Sequence, residues 1–149
     1  TAQNRKARGP QRYEVTSRRP EVSWASQNML VLGLIILIGL VLHLYNFWGH
    51  MMFADLAGLK FAYGPEDGFA WIEDTFKNPV YSILYLIWIC ALWFHLTHGF
   101  WSAMHTLGMS GKIWMKRWQC CGMVYVTMLM GVFAFLILSF WLGFAPSMR

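Results

Sequence analysis

The chain switches between charged and charge-free stretches on a scale of about thirty residues, the scale set by a bilayer rather than by a soluble core. All nineteen Lys, Arg, Asp and Glu residues fall outside three runs, Val22–Ala54, Asn78–Gly111 and Trp118–Met148, which hold 98 of the 149 positions. Within these runs apolar residues are continuous instead of alternating, the pattern of a helix and not of a barrel strand. A spanning helix needs about 20 apolar residues. The pattern therefore predicts an all-α membrane protein with three transmembrane helices near 27–48, 79–106 and 119–144. Pro79 suits the first turn of a helix, where its missing N–H costs nothing. Gly108 and Gly111 predict the end of the second span and a short turn.

Composition sharpens the exclusions. The chain is 57% hydrophobic and 13% charged, against roughly 25% charged in a soluble domain. That excludes a soluble enzyme, a disordered tail, a disulfide-stapled secreted module and a nucleic-acid binder, although the pI is near 9.3. The excess of Lys and Arg reads as topology instead. Arg5, Lys6, Arg8, Arg12, Arg18 and Arg19 precede the first span, and Lys112, Lys116 and Arg117 separate the second from the third. Basic loops stay on the cytoplasmic side. The basic segment 1–26 and the loop 107–118 are therefore expected inside. The loop 49–78, with five acids and two lysines, is expected outside. In that loop Phe69, Trp71 and Ile72 predict a segment lying on the membrane surface. Cys90, Cys120 and Cys121 have no metal-site spacing and are expected as free thiols serving as small apolar residues. Residues 1–20 lack the apolar stretch of a signal peptide. The opening Thr1 predicts a chain that is processed or begins upstream.

Five histidines, His43, His50, His95, His98 and His105, lie in or at the edge of spans. Ionisable groups at membrane depth are costly, so they point to function; an imidazole that only hydrogen-bonds between helices is the bland alternative. Ala91, His95, His98, Ser102 and His105 follow helical steps of 4, 3, 4 and 3 and share one stripe. This stripe is expected to face the bundle, with Trp88, Trp93, Phe94, Phe100 and Trp101 turned to lipid or neighbouring helices. Imidazole flanked by Gly99 and Ser102 is what a flat macrocycle needs, and histidine is a standard haem ligand. His43, with Gly39 one turn before it, repeats the theme. At 1.5 Å per residue His43 and His98 differ by roughly 15–25 Å along the membrane normal, so one haem cannot take both. His95 is the rival of His98, His105 is expected near a propionate or a neighbouring polypeptide, and His50 is expected as a plain interfacial residue. Met123, Met128 and Met130 are expected as apolar packing, and Gly122, Gly131 and Gly143 as points of close helix contact.

The run Phe94-His95-Leu96-Thr97-His98-Gly99-Phe100-Trp101-Ser102-Ala103-Met104-His105-Thr106-Leu107-Gly108 resembles the cytochrome b subunit of succinate:quinone oxidoreductases, the b558 type of succinate dehydrogenase and fumarate reductase, in the version of the Bacteroidetes. Gln3-Asn4-Arg5-Lys6-Ala7-Arg8-Gly9 is similar to that family's loop after its second helix, and Leu42-His43-Leu44-Tyr45 to its third helix. Where the family run usually has Gln, this chain has His105.

The resemblance implies helices three, four and five of a five-helix bundle that carries two b haems. It implies that His43 holds the distal haem and His98 the proximal one, each sharing the metal with a histidine of two further N-terminal helices. It further implies quinone as substrate, an iron–sulfur subunit and a flavoprotein subunit as partners, and a multi-pass place among the lipids of the bacterial cytoplasmic membrane. Succinate chemistry would belong to another chain; this one transfers electrons. Trp24, Ser26 and Lys112 are expected at the docking face or near haem propionates. Two alternatives remain at this point: the di-haem anchor of another quinone-linked oxidoreductase, such as a hydrogenase or formate dehydrogenase, and a haem-free structural membrane subunit.

Overall fold

A computed structural model of the chain describes residues 23–144, together with Gln3, Lys6, Ala7 and Gly9. Most of the basic segment expected over 1–26 therefore lies outside the described residues, as does the end of the chain after Phe144. Among the described residues there is no strand. A short helix α1, Trp24–Gln27, leads into α2, Met29–Leu56. Helix α2 is α-helical to His43 and π-helical over Leu44–Phe53, and ends on the turn Ala54–Leu56. After the loop come α3, Gly68–Lys77, α4, Pro79–Thr106, and α5, Lys112–Trp141.

Helices α2, α4 and α5, of 28, 28 and 30 residues, are each long and apolar enough to cross a membrane. The chain is an all-α membrane protein. At 1.5 Å per residue these helices run about 42–45 Å, longer than a hydrocarbon core of about 30 Å. The surplus leaves room for the first turns of α5, with Lys112, Lys116 and Arg117 ahead of the apolar run, to lie outside the hydrocarbon. Caps fix the ends of α4. Asn78 Oδ1 accepts from the Val80 N–H at 3.0 Å, ahead of Pro79 at the first helical position. At the other end Gly108 takes φ 74°, and the Met109 N–H reaches back to the Met104 carbonyl at 3.0 Å, closing a Schellman turn that only glycine adopts without strain.

Helix α4 is the middle of a row. On one side Trp88 lies in the space left by Gly39 and donates Nε1–H to the Ile36 carbonyl of α2 at 3.1 Å. On another side Trp93 donates to Thr127 Oγ1 of α5 at 3.0 Å, and the Phe100 ring fills the space above Gly122. Among the described residues the backbones of α2 and α5 nowhere come within 8 Å of each other, whereas each comes that close to α4. Few residues are sealed inside so open an arrangement: between 11% and 22% of the most apolar window of each span is buried. Leu30, Ile38, Met128 and Phe135 are among the many exposed apolar side chains, which suits surroundings of lipid.

Helix α3 closes one end of the row. The sequence pattern puts it on the membrane surface; in the structure its apolar residues pack against the spans. Trp71 and Phe76 are buried, Phe69 meets Phe140 of α5 at 5.4 Å between ring centroids, and Ile72 lines the cleft between the spans. The fully buried Ser82 ties the cap down, donating to the Phe76 carbonyl at 2.7 Å.

Candidate functional site

The spans enclose an apolar cleft beneath α3, about 350 Å³ in volume. His43 of α2 opens onto it beside Tyr85 and Trp88 of α4, facing Met130 and Ile137 of α5. Three rings wall the imidazole: Phe47, Trp88 and Tyr85, with centroids 5.1, 5.6 and 6.1 Å away. His43 Nδ1 is buried without a hydrogen-bond partner. Nε2 has none either among the described residues, yet it is not sealed off, so it is the nitrogen that remains open to a ligand. His43 as a whole is half-buried; leaving the one buried nitrogen without a partner costs on the order of 1–3 kcal/mol.

His43 is also where the helix changes type. The next ten residues are π-helical, a rare geometry concentrated at functional sites. The wider turns place Asn46 toward α4, where its Nδ2 lies 3.4 Å from the Tyr85 hydroxyl. Both residues are buried. A polar pair in a mostly apolar core is costly unless satisfied, and here each partner supplies the other. Sequence reasoning missed this pair, although Asn46 was visible as an amide inside a charge-free run.

The stripe on α4 sits differently from expectation. Ala91 is buried, His95 and His98 are half-buried, and Ser102 and His105 are exposed. The reason is rotational. Ser102 lies two residues from Phe100, about half a turn around the helix, and the side that carries Phe100 and Trp93 is the one α5 covers. The stripe thus looks away from α5, and its far end, Ser102 and His105, is left open in this row. His95 Nδ1 is buried and unpartnered. Neither nitrogen of His98 is sealed off, and neither has a hydrogen-bond partner among the described residues. A Cβ built on Gly99 would meet nothing within 4 Å, so the approach beside His98 is clear.

Ring contacts place His43 level with Tyr85 and Trp88. His98 lies ten to thirteen residues farther along α4, about 15–20 Å. The two imidazoles therefore occupy different depths. Among the described residues no three His, Cys, Asp or Glu side chains gather into a metal-holding group.

Other expected residues disperse. Trp24 stacks edge-on with Phe94 at 5.3 Å, next to His95 in sequence, while the Ser26 N–H caps α1 by donating to Ser23 Oγ at 3.2 Å. Lys112 stands exposed at the start of α5. His50 is more than interfacial: its Nδ1 lies 2.7 Å from the Tyr45 carbonyl, and its ring sits among Tyr45, Phe61 and Trp71 at 4.9, 5.0 and 5.2 Å. Gly39, expected to admit a macrocycle, admits Trp88. Of the three span-three glycines Gly122 makes the close helix contact; Gly131 has nothing near it, and Gly143 ends α5 at φ 74°. The three cysteines are free and exposed. Compared with known proteins, the chain matches no family model, no curated protein and no solved structure.

Proposed function

We propose that this chain is the haem b-carrying membrane anchor of a succinate:quinone oxidoreductase, passing electrons between an iron–sulfur subunit and membrane quinone. The observation that carries the reading is the open Nε2 of His43 on an aromatic-walled cleft, paired with an unencumbered His98 about 15–20 Å farther along the bundle. Either imidazole would hold a haem iron, and their separation would suit two haems rather than one. Haem, when bound, supplies reversible one-electron transfer. The chain's own residues do the rest. Phe47, Tyr85 and Trp88 hold the His43 ring and exclude water. Gly99 keeps the flank of His98 clear, with His95 as the neighbouring donor on the same stripe. Ser102 and His105, at the exposed end of that stripe, suit haem propionates. A second histidine for each haem would come from two further helices, which would lie against the stripe in a five-helix bundle.

In this reading the membrane is the bacterial cytoplasmic membrane, with Lys112–Arg117 inside and the acidic α3 cap outside. Trp24, Ser26 and Lys112 lie toward the face that meets the iron–sulfur subunit and, through it, the flavoprotein. A reduced-minus-oxidised optical spectrum of the purified complex tests the proposal. His98→Ala is expected to remove one b-type component and His43→Ala the other, while succinate oxidation with artificial acceptors continues. Unchanged spectra in both variants would overturn it.

A further inference from the structure

The basic end of the molecule carries a site of another kind. Helix α5 begins with Lys112, Lys116 and Arg117, and none of the three is ion-paired among the described residues. The acids Asp55, Glu66, Asp67, Glu73 and Asp74 all belong to the loop and cap at the opposite end of α4. The Arg117 guanidinium carbon lies 5.2 Å from the centre of the Trp114 ring, and the Trp114 and Trp118 rings are 6.2 Å apart. Beside the two indoles a cavity of about 380 Å³ opens onto the turn formed by Gly108, Met109 and Gly111.

The residues beyond Arg117 on the same helix identify the occupant. Cys121, Tyr125, Met128 and Val132 are all exposed, and steps of three and four place them in one column on the same side as Trp114. Helix α4 covers a different side of α5, the one with Gly122. The column runs for about 16 Å at 1.5 Å per residue. It is a hydrocarbon-facing strip that ends, at its polar edge, on indoles and a stacked guanidinium. Tryptophan concentrates at headgroup level, arginine offers phosphate a flat fork of donors, and clustered cations beside a span attract anionic lipid.

We propose that this end of α5 is a binding site for an anionic phospholipid. Its phosphate meets Arg117, its glycerol region fills the cavity against Trp114 and Trp118, and an acyl chain follows the column from Cys121 to Val132. Lys112 and Lys116 add attraction from within a Debye length. The inference uses neither the haem reading nor the choice of which end faces the cytoplasm.

The test is native mass spectrometry of the purified protein, with whatever subunits accompany it, in detergent containing equal mole fractions of phosphatidylglycerol and phosphatidylcholine. Preferential retention of phosphatidylglycerol is expected. Arg117→Gln should lower that retention about fivefold, the factor for losing one cation at a membrane surface, and leave phosphatidylcholine unchanged. Lys77→Gln, at the acidic end, should leave both unchanged. Should Arg117→Gln lose helical content by circular dichroism, Lys116→Gln reads the same electrostatics without touching the Trp114 stack or Lys112. Equal retention of the two lipids by the unmodified protein would overturn the proposal. So would undiminished phosphatidylglycerol in folded variants, or loss of a soluble subunit in place of lipid, which would make this a protein-docking face.

Discussion

The indole of Trp88 occupies the space above Gly39 and donates its Nε1–H to the Ile36 carbonyl at 3.1 Å. The same ring lies 5.6 Å from the imidazole of His43, tilted by 31°. One side chain of α4 thus sets the approach of α2 and walls the cleft that His43 enters. The carbonyl it reaches already belongs to a helix, so the bond adds a second acceptor role to Ile36 without breaking the ladder.

Gly39→Ala tests that contact directly. A Cβ at residue 39 collides with the Trp88 ring, and neither helix can yield without moving that ring off Ile36. Overpacking of this sort costs about 1–3 kcal/mol. A lower midpoint of thermal unfolding in detergent is expected, read by circular dichroism. Gly39→Ala combined with Trp88→Leu should cost less than the sum of the two, because both act on one contact. Strict additivity would mean that Trp88 does not sit there.

Asn46 and Tyr85 should be coupled, but weakly. Their separation of 3.4 Å is long for a hydrogen bond, and side-chain hydrogen bonds within membrane proteins average about 0.6 kcal/mol in double-mutant cycles. A cycle built from Asn46→Leu and Tyr85→Phe, followed by denaturant unfolding in detergent, should return a coupling of about that size. Tyr85→Phe alone leaves the buried Asn46 amide without its partner and should cost more than the coupling, on the order of 1–3 kcal/mol. A coupling indistinguishable from zero would remove the pair as a support of the His43 wall.

The three spans were legible because charge placement alone defines them; nothing about packing is needed to see that Asn78–Gly111 holds no charge. Which face of each span meets which neighbour was not legible. A helix that is apolar all round has no polar side to give its orientation away, and the part of α2 before His43, with Leu34 and Ile38 exposed and Leu32 buried, is such a helix. The stripe from Ala91 to His105 was found by spacing, yet its outward aspect depends on Phe100 choosing Gly122 across a gap in sequence. Gly39 looked like room for a macrocycle because sequence shows that room exists and not what fills it. His50 looked interfacial because its partners Phe61 and Trp71 arrive from the loop. The π-helical stretch after His43 has no residue signature; His50, Asn46 and Gly49 hint only that the run is irregular.

His50 gives a contrast to the ligand candidates. Its ring is held by the Tyr45 carbonyl and three aromatic neighbours, so it braces the loop that leads to α3. His50→Leu should leave any haem spectrum unaltered. It should loosen the loop by about 1 kcal/mol, the usual net worth of one hydrogen bond. Limited proteolysis is the measurement, with faster cleavage between Ala57 and Asp67 expected. A changed optical spectrum with unchanged cleavage would move His50 into the ligand set.

The orientation of the row decides which depth each histidine occupies, and it can be measured without any cofactor. Among the described residues the acids lie at the α3 end and Lys112–Arg117 at the other. Positive residues in short loops are retained on the cytoplasmic side, whereas acids contribute little to that bias. The α3 end should therefore face outward. Glu66 and Ser110 are exposed at the two ends and suit single-cysteine probes. Cys90, Cys120 and Cys121 are also exposed and must first be replaced by alanine. In intact cells a membrane-impermeant maleimide should then label Glu66→Cys and spare Ser110→Cys, and lysis should make Ser110→Cys reactive. The opposite pattern would invert the molecule. It would put His43 nearer the cytoplasm than His98 and exchange the proximal and distal roles proposed for them, while leaving their separation of about 15–20 Å as it is.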